Sequence, residues 1–197
     1  MKSMNLVEET KFLTEGWETI EGHVLPDNKT CLAFASILSM TQTKTIFEIG
    51  FNFGHSAYTF LSVDRHVRIH STDIGQYPHT EVNAWKMKEK FKGRFQFTQC
   101  DSHQLIPDDV SGYDMIFIDG DHTPKGMIQD MDLCADAGVE WMLVDDYVRC
   151  MGDLYPKSVI DNQLAREDFP YRKVREFYYP STDRLNCMVL LRRYENV

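Results

Sequence analysis

Met115-Ile-Phe-Ile-Asp-Gly-Asp-His122 and Trp141-Met-Leu-Val-Asp-Asp146 are two short apolar runs that each stop at carboxylates. Four large apolar residues ending abruptly at charge read as buried strands. Residues 119–140 between them carry an amphipathic pattern long enough for a crossover helix, so the two strands are expected to run parallel. Parallel neighbours present their carboxyl ends on one edge of the sheet, where open α/β sheets bind ligands. Asp119, Asp145 and Asp146 are therefore expected to converge. Each alone would pass for a solvated turn aspartate. Together they repel one another unless protons or a cation compensate, which points to a hard metal ion.

The same alternation extends outward from this pair. Residues 29–42 read as a helix, Thr45–Gly50 as a strand running into a glycine turn, and Ser56–Val63 as the helix after it. Val67–Thr72 is a strand ending at Asp73, Glu81–Phe91 a helix, Arg94–Gln99 a third strand and Tyr113–Ile118 the fourth. Residues 124–137 supply the crossover helix and Trp141–Val144 the fifth strand, and Met151–Asp168 carries a weaker helical pattern. Tyr171–Tyr179 and Asn186–Arg193 follow without a helix between them, so they are expected to pair as an antiparallel hairpin. The predicted fold is α/β, a Rossmann-like, mostly parallel seven-stranded sheet with that hairpin at its C-terminal end and helices on both faces. Residues 1–27, polar with Phe12, Trp17 and Leu25 as isolated anchors, read as an N-terminal arm or cap, and residues 28–197 as the main domain.

The composition sets bounds on partners. The 197 residues carry a formal charge of −9, 43% apolar and 26% charged side chains, as in an ordinary globular domain. The acidic balance argues against a nucleic-acid or anionic-membrane partner and favours a small molecule. No apolar stretch approaches a membrane span, and residues 1–10 lack the apolar core of a signal peptide. Cys31, Cys100, Cys134, Cys150 and Cys187 are scattered without a C-x-x-C pair, which suits reduced thiols in a cytoplasmic setting and speaks against zinc. The aromatics of residues 1–27 would serve equally in a homo-oligomer arm or as a cover for the site.

Glu48-Ile-Gly50-Phe-Asn-Phe-Gly54-His-Ser56 joins the first strand to the next helix as an E-x-G-x-x-x-G loop. Gly50 and Gly54 permit positive φ or close backbone approach. The loop is neither G-x-G-x-x-G nor a Walker loop, so it suits a ligand without a pyrophosphate. Glu48 would suit an ammonium group. Asp73 could take both hydroxyls of a ribose or cap a helix. Asp101-Ser102 could accept from an adenine amino group or cap the following turn, and Phe51, Phe53 and Tyr77 could border an adenine slot.

In order and spacing, Phe47-Glu-Ile-Gly-Phe-Asn-Phe-Gly54, Ser71-Thr-Asp73, Cys100-Asp-Ser102 and Phe117-Ile-Asp-Gly-Asp-His122 resemble the class I S-adenosylmethionine-dependent methyltransferases. Ile118-Asp-Gly-Asp-His122 with Val144-Asp-Asp-Tyr147 is similar to the metal-dependent O-methyltransferases of antibiotic sugars and, more distantly, to the catechol type. The resemblance implies that Gly50, Phe51, Asn52 and Gly54 line the methionine end of S-adenosylmethionine, with Glu48 near its ammonium. It implies Asp73 on the ribose, Asp101 and Ser102 at the adenine, and Asp119 touching cofactor as well as metal. Asp119, Asp145 and Asp146 match the metal-ligand positions, with Mg2+ or another divalent cation as the ion. Asp146, usually Asn in the catechol type, leans toward the sugar-modifying group.

The activity so implied is O-methylation of a sugar-bearing metabolite, diol or catechol, with Asp119 or His122 accepting the hydroxyl proton. Two other readings stay open: a methyltransferase that uses His122 as base without metal, and a cofactor-binding scaffold without turnover. Asp121 is expected either to stand behind the ligating residues or to form the turn.

Overall fold

The computed structural model describes residues 6–17, 27–148, 156–180 and 185–194. Its centre is a seven-stranded sheet of β1 (Thr45–Ile49), β2 (Arg68–Asp73), β3 (Phe95–Gln99), β4 (Met115–Ile118), β5 (Trp141–Val144), β6 (Tyr171–Pro180) and β7 (Leu185–Arg193). The order across the sheet is β3-β2-β1-β4-β5-β7-β6. The first five strands are parallel, whereas β7 is antiparallel to both β5 and β6. The mostly parallel sheet with a terminal hairpin is thus the observed architecture. Between β1 and β4 the strand order reverses direction, which opens a crevice at their carboxyl ends.

β4 and β5 are buried at every position, because helices cover both faces. Their side chains alternate between two cores. Phe117, Trp141 and Leu143 join Ile46 and Ile69 beneath α3 (Asn28–Thr41), α4 (His55–Val63) and α5 (Pro78–Lys90). Ile116, Ile118, Met142 and Val144 pack beneath α7 (Pro124–Ala137) and α8 (Lys157–Leu164). A short α6 (Pro107–Val110) precedes β4.

Local chemistry fixes most helix ends. Thr123 caps α7 by accepting from the Gly126 N–H, Pro124 opens the helix, and Gly138 at φ 71° closes it. Asp27 caps α3 by accepting from the Thr30 N–H at 2.8 Å. The helix expected over Glu81–Phe91 starts one turn earlier, since Pro78 lacks an N–H that the first turn could not have paired. The weaker pattern of Met151–Asp168 condenses to Lys157–Leu164, with residues 151–155 outside the described part.

The N-terminal residues form two single turns, α1 (Leu6–Glu9) and α2 (Lys11–Thr14), that pack into the first core through Leu6 and Leu13. These two leucines are fully buried, and Phe12 packs partly buried against the same core. Phe12 is half-buried against Tyr58, Trp17 meets His79 edge-on, and Leu25 lies outside the described residues. Asn83 Nδ2 donates to the carbonyls of Leu13 and Phe53, which ties this segment to the loop after β1. Among the described cysteines, Cys100, Cys134 and Cys187 are free thiols. No helix of the described residues is long and apolar enough to cross a membrane.

Candidate active site

The parallel ladder runs one residue past its strands and lines up the carboxyl edge. The N–H of Gly50 donates to Thr72 O, that of Asp119 to Ile49 O, and that of Asp145 to Ile118 O, at 2.9, 2.8 and 3.0 Å. A cavity of about 1240 Å³ opens along this edge. It is lined by Gly50, Asn52, Asp73, Asp101, Ser102, Asp119, His122, Asp145 and Asp146, so nine of the residues singled out from sequence meet there.

Gly50 has φ 93°, and a Cβ built on it would stand 2.0 Å from the carbonyl oxygen of Asp119. Only glycine lets the β1 loop pass this close to the end of β4. The loop is then held by Asp73, whose Oδ2 accepts from the N–H groups of Phe51 and Asn52 at 3.0 and 2.8 Å while Oδ1 accepts from Gly75. Asp73 therefore shapes the loop as well as facing the cavity. Asp101 accepts from the His103 N–H and starts a short 3₁₀ turn, leaving Ser102 on the cavity wall.

Three expected cofactor residues stand back from the cavity. Glu48 is fully buried, and its carboxylate accepts from the hydroxyls of Ser56 and Ser71. Burial pushes it up to about 7, against the pull of those two hydroxyls. The ring of Phe51 turns into the core against Phe95 and Phe97, and only its N–H serves the loop. Gly54 begins α4 at φ 87°, directly over that ring. An aromatic wall does exist, and it includes Phe53 and Tyr77, two of the three aromatics named from the sequence. Phe53 stacks on His79 at 3.7 Å between centroids, Tyr77 stacks on the same ring at 5.3 Å, and Trp17 meets it edge-on. His79 also pairs with Asn52 Oδ1 at 2.7 Å.

At the other end of the cavity sit the carboxylates. Asp119, His122 and Asp146 each offer a donor atom within 4.8 Å of the others. His122 lies between the two acids, Nδ1 at 3.1 Å from Asp146 and Nε2 at 3.7 Å from Asp119. Asp146 adopts φ 54°, a left-handed conformation that Asp tolerates better than most residues. Asp145 is placed differently from its neighbours: both of its oxygens accept from the Tyr179 hydroxyl at 2.6 Å. Burial, and then the charges of Asp145 and Asp146, raise Asp119 well above the usual carboxylate range. Burial and Asp146 push Asp145 to about 7. The hydrogen bond to Asp146 raises His122. Asp121 bonds the N–H and hydroxyl of Thr123, and a Cβ on Gly126 would meet its carboxylate at 2.1 Å, so it forms the turn that starts α7.

These groups fit a divalent cation. Two carboxylates and an imidazole face one another at ligand spacing, and the mutual repulsion seen in the raised acids is what a cation would relieve. His79, Tyr179 and Asn186 also line the cavity and were not read from the sequence as site residues, and Trp17, read there as an anchor of the N-terminal arm, lines it too. The one available signal was Asn186, a polar residue opening the apolar run Cys187–Leu191.

A family model described as a methyltransferase domain matches residues 47–147, which is just over half of the chain. No curated protein matches the sequence. Among solved structures, the chain is similar to an O-methyltransferase from Bacillus cereus in complex with S-adenosylhomocysteine (TM-score 0.70, 12% identity, covering 95% of this chain and 90% of that one). It is similar to TomG, an O-methyltransferase of tomaymycin synthesis from Streptomyces achromogenes in complex with S-adenosylmethionine (0.68, 15%, 98% and 92%). A third is the methyltransferase PaMTH1 of Podospora anserina, bound to S-adenosylhomocysteine (0.67, 14%, 96% and 88%). At these identities the likeness establishes a shared fold.

Proposed function

This chain belongs to the methyltransferase-domain family, and we propose that it transfers the methyl group of S-adenosylmethionine to a hydroxyl of a small molecule such as a sugar, diol or catechol, with a divalent cation, Mg2+ first among them, at the acidic strand edge. The observation that carries this reading is a single cavity lined by both the Gly50–Asp73 loop and the cluster of Asp119, His122 and Asp146. The structural relatives named above hold S-adenosylmethionine or its product, in agreement with the first half of that cavity as the cofactor end.

The chain's own residues then divide the work. Gly50 and the N–H groups fixed by Asp73 give the methionine end a rigid floor, Asp73, with three acceptor sites spent on Phe51, Asn52 and Gly75, keeps one on Oδ1 for a ribose hydroxyl, and Asp101 with Ser102 borders the adenine. Asp119 and Asp146, with His122 between them and the charge of Asp145 behind, would hold the cation. That cation supplies positive charge, which lowers the pKa of an acceptor hydroxyl and fixes its position. Methyl transfer is an in-line displacement, so alignment of acceptor oxygen, methyl and sulfur provides much of the rate. His122 and Asp119 are the groups within reach of the proton released. A second reading, with His122 as base and no metal, draws on the same ring placement between two acids.

Isotope transfer from methyl-labelled S-adenosylmethionine to a panel of sugars, diols and catechols tests the activity. Chelation by EDTA should abolish it and Mg2+ restore it. Turnover that ignores EDTA selects the second reading, and binding of the cofactor without transfer to any acceptor refutes both.

A further inference from the structure

The C-terminal hairpin contributes a complete polar relay to the acidic edge, and its donors can be counted. Asn186 Oδ1 accepts from the Cys187 N–H at 3.0 Å, which fixes the orientation of the amide. Its Nδ2 carries two hydrogens, and both are spent: one on Asp146 Oδ1, one on the Tyr179 hydroxyl oxygen at 2.9 Å. Tyr179 therefore has its single hydrogen left for Asp145, where it meets both oxygens. The direction of every bond follows from that one backbone contact. Tyr179 is 1% exposed and Asn186 5% exposed, so neither is a surface side chain that happens to lie nearby. The two are cross-strand partners in the β6–β7 register, and the hairpin is further anchored to the turn by Tyr147 N–H donating to Cys187 O at 2.7 Å.

From this arrangement we infer that Tyr179 and Asn186 are positioning residues of the cation site. Asn186 holds the carboxylate of Asp146 toward Asp119 and His122, and Tyr179 holds that of Asp145 behind them. The inference rests on the metal-dependent reading given above. Its physical basis is that a carboxylate at a chain turn has several rotamers, and one of these must be selected before a cation binds with useful affinity. Asp146 sits at φ 54°, outside any strand or helix, so no regular backbone element fixes it, and side-chain bonds such as that from Asn186 help select its rotamer. The hairpin follows the matched family segment, which ends at residue 147.

Calorimetric titration of MnCl2 and, separately, of S-adenosylhomocysteine into the full chain tests the inference, with Tyr179→Phe and Asn186→Leu as variants. Each is expected to weaken Mn2+ by about 10- to 100-fold and to leave S-adenosylhomocysteine affinity unchanged. A purely structural role would weaken both ligands together, and that outcome in Asn186→Leu overturns the inference. So does Mn2+ affinity unchanged in both variants. If Tyr179→Phe does not fold, Asn186→Leu decides alone. A wild-type chain that binds S-adenosylhomocysteine but no Mn2+ refutes the metal reading itself, and is thereby distinguished from failure of the positioning argument.

Discussion

Replacing Gly50 by alanine tests how closely the first loop passes the end of β4. At φ 93° the added Cβ would lie 2.0 Å from Asp119 O and 2.5 Å from Asp119 C, roughly an ångström or more inside the 3.4 Å at which ordinary contact begins. Both neighbours are backbone, so no side chain can rotate away. The left-handed conformation alone costs an L-residue about 1–2 kcal/mol, and forcing an atom into a packed site adds about 1–3 kcal/mol. The expected loss of stability for Gly50→Ala is thus about 2–5 kcal/mol. Two glycines separate the contributions. Gly93 has φ 74° with nothing within 4 Å of its would-be Cβ, so Gly93→Ala should show the conformational cost only. Gly112 has neither a positive φ nor a close neighbour, and Gly112→Ala should fall within about 0.5 kcal/mol of wild type. Urea denaturation of the three variants measures this series. The loop or the Asp119 carbonyl must also move by roughly an ångström, a displacement able to cost about 100-fold in turnover. Equal destabilisation by Gly50→Ala and Gly93→Ala would refute the close approach.

Three further outcomes follow from the buried acids and the N-terminal contact. Burial raises Asp119, Asp145 and Glu48 above ordinary carboxylates, and Asp146 raises His122, so these four groups bind more protons in the folded chain than in the unfolded one above about pH 4, partly offset by His70 and His79, which burial lowers. Stability of the metal-free protein should therefore fall between pH 5 and pH 8, by on the order of 2 kcal/mol. Added Mg2+ should recover it at pH 8; urea midpoints at both pH values would contradict the argument by staying level. Ser71→Ala deprives Glu48 of a donor and should cost about 1–3 kcal/mol, with the larger loss at pH 8, where a group near 7 is ionised. An equal loss at pH 6 and pH 8 would deny Glu48 that titration. Asn83→Ala removes the bonds to Leu13 O and Phe53 O, and should hasten proteolytic cleavage within residues 6–17 while leaving the rest intact. A cleavage pattern like that of wild type would count against the tether.

The sheet was legible in the sequence because both of its faces are covered. Apolar runs such as Met115–Ile118 then stand out against the amphipathic helices between them, and a terminal pair of β-rich segments without a helix can hardly be anything but a hairpin. Helix limits were legible where a cap lies within three residues, as at Thr123 and Pro124. The convergence of Asp73, Asp119, Asp145 and Asp146 at one edge followed from parallel pairing alone. Side-chain direction did not. Period-2 alternation shows that Glu48 and Phe51 are near the edge, yet neither reveals that one is claimed by Ser56 and Ser71 and the other by Phe95 and Phe97. Asp145 and Asp146 are adjacent in the chain and equal in chemistry; they differ because Tyr179, 34 residues from Asp145, reaches the first and His122 the second. Local pattern determined which elements form and which edge carries the charge. Contacts between residues far apart in sequence decided which carboxylates gather around His122 and which further residues line the cavity, because those depend on how the hairpin and the N-terminal turns pack against a sheet already made.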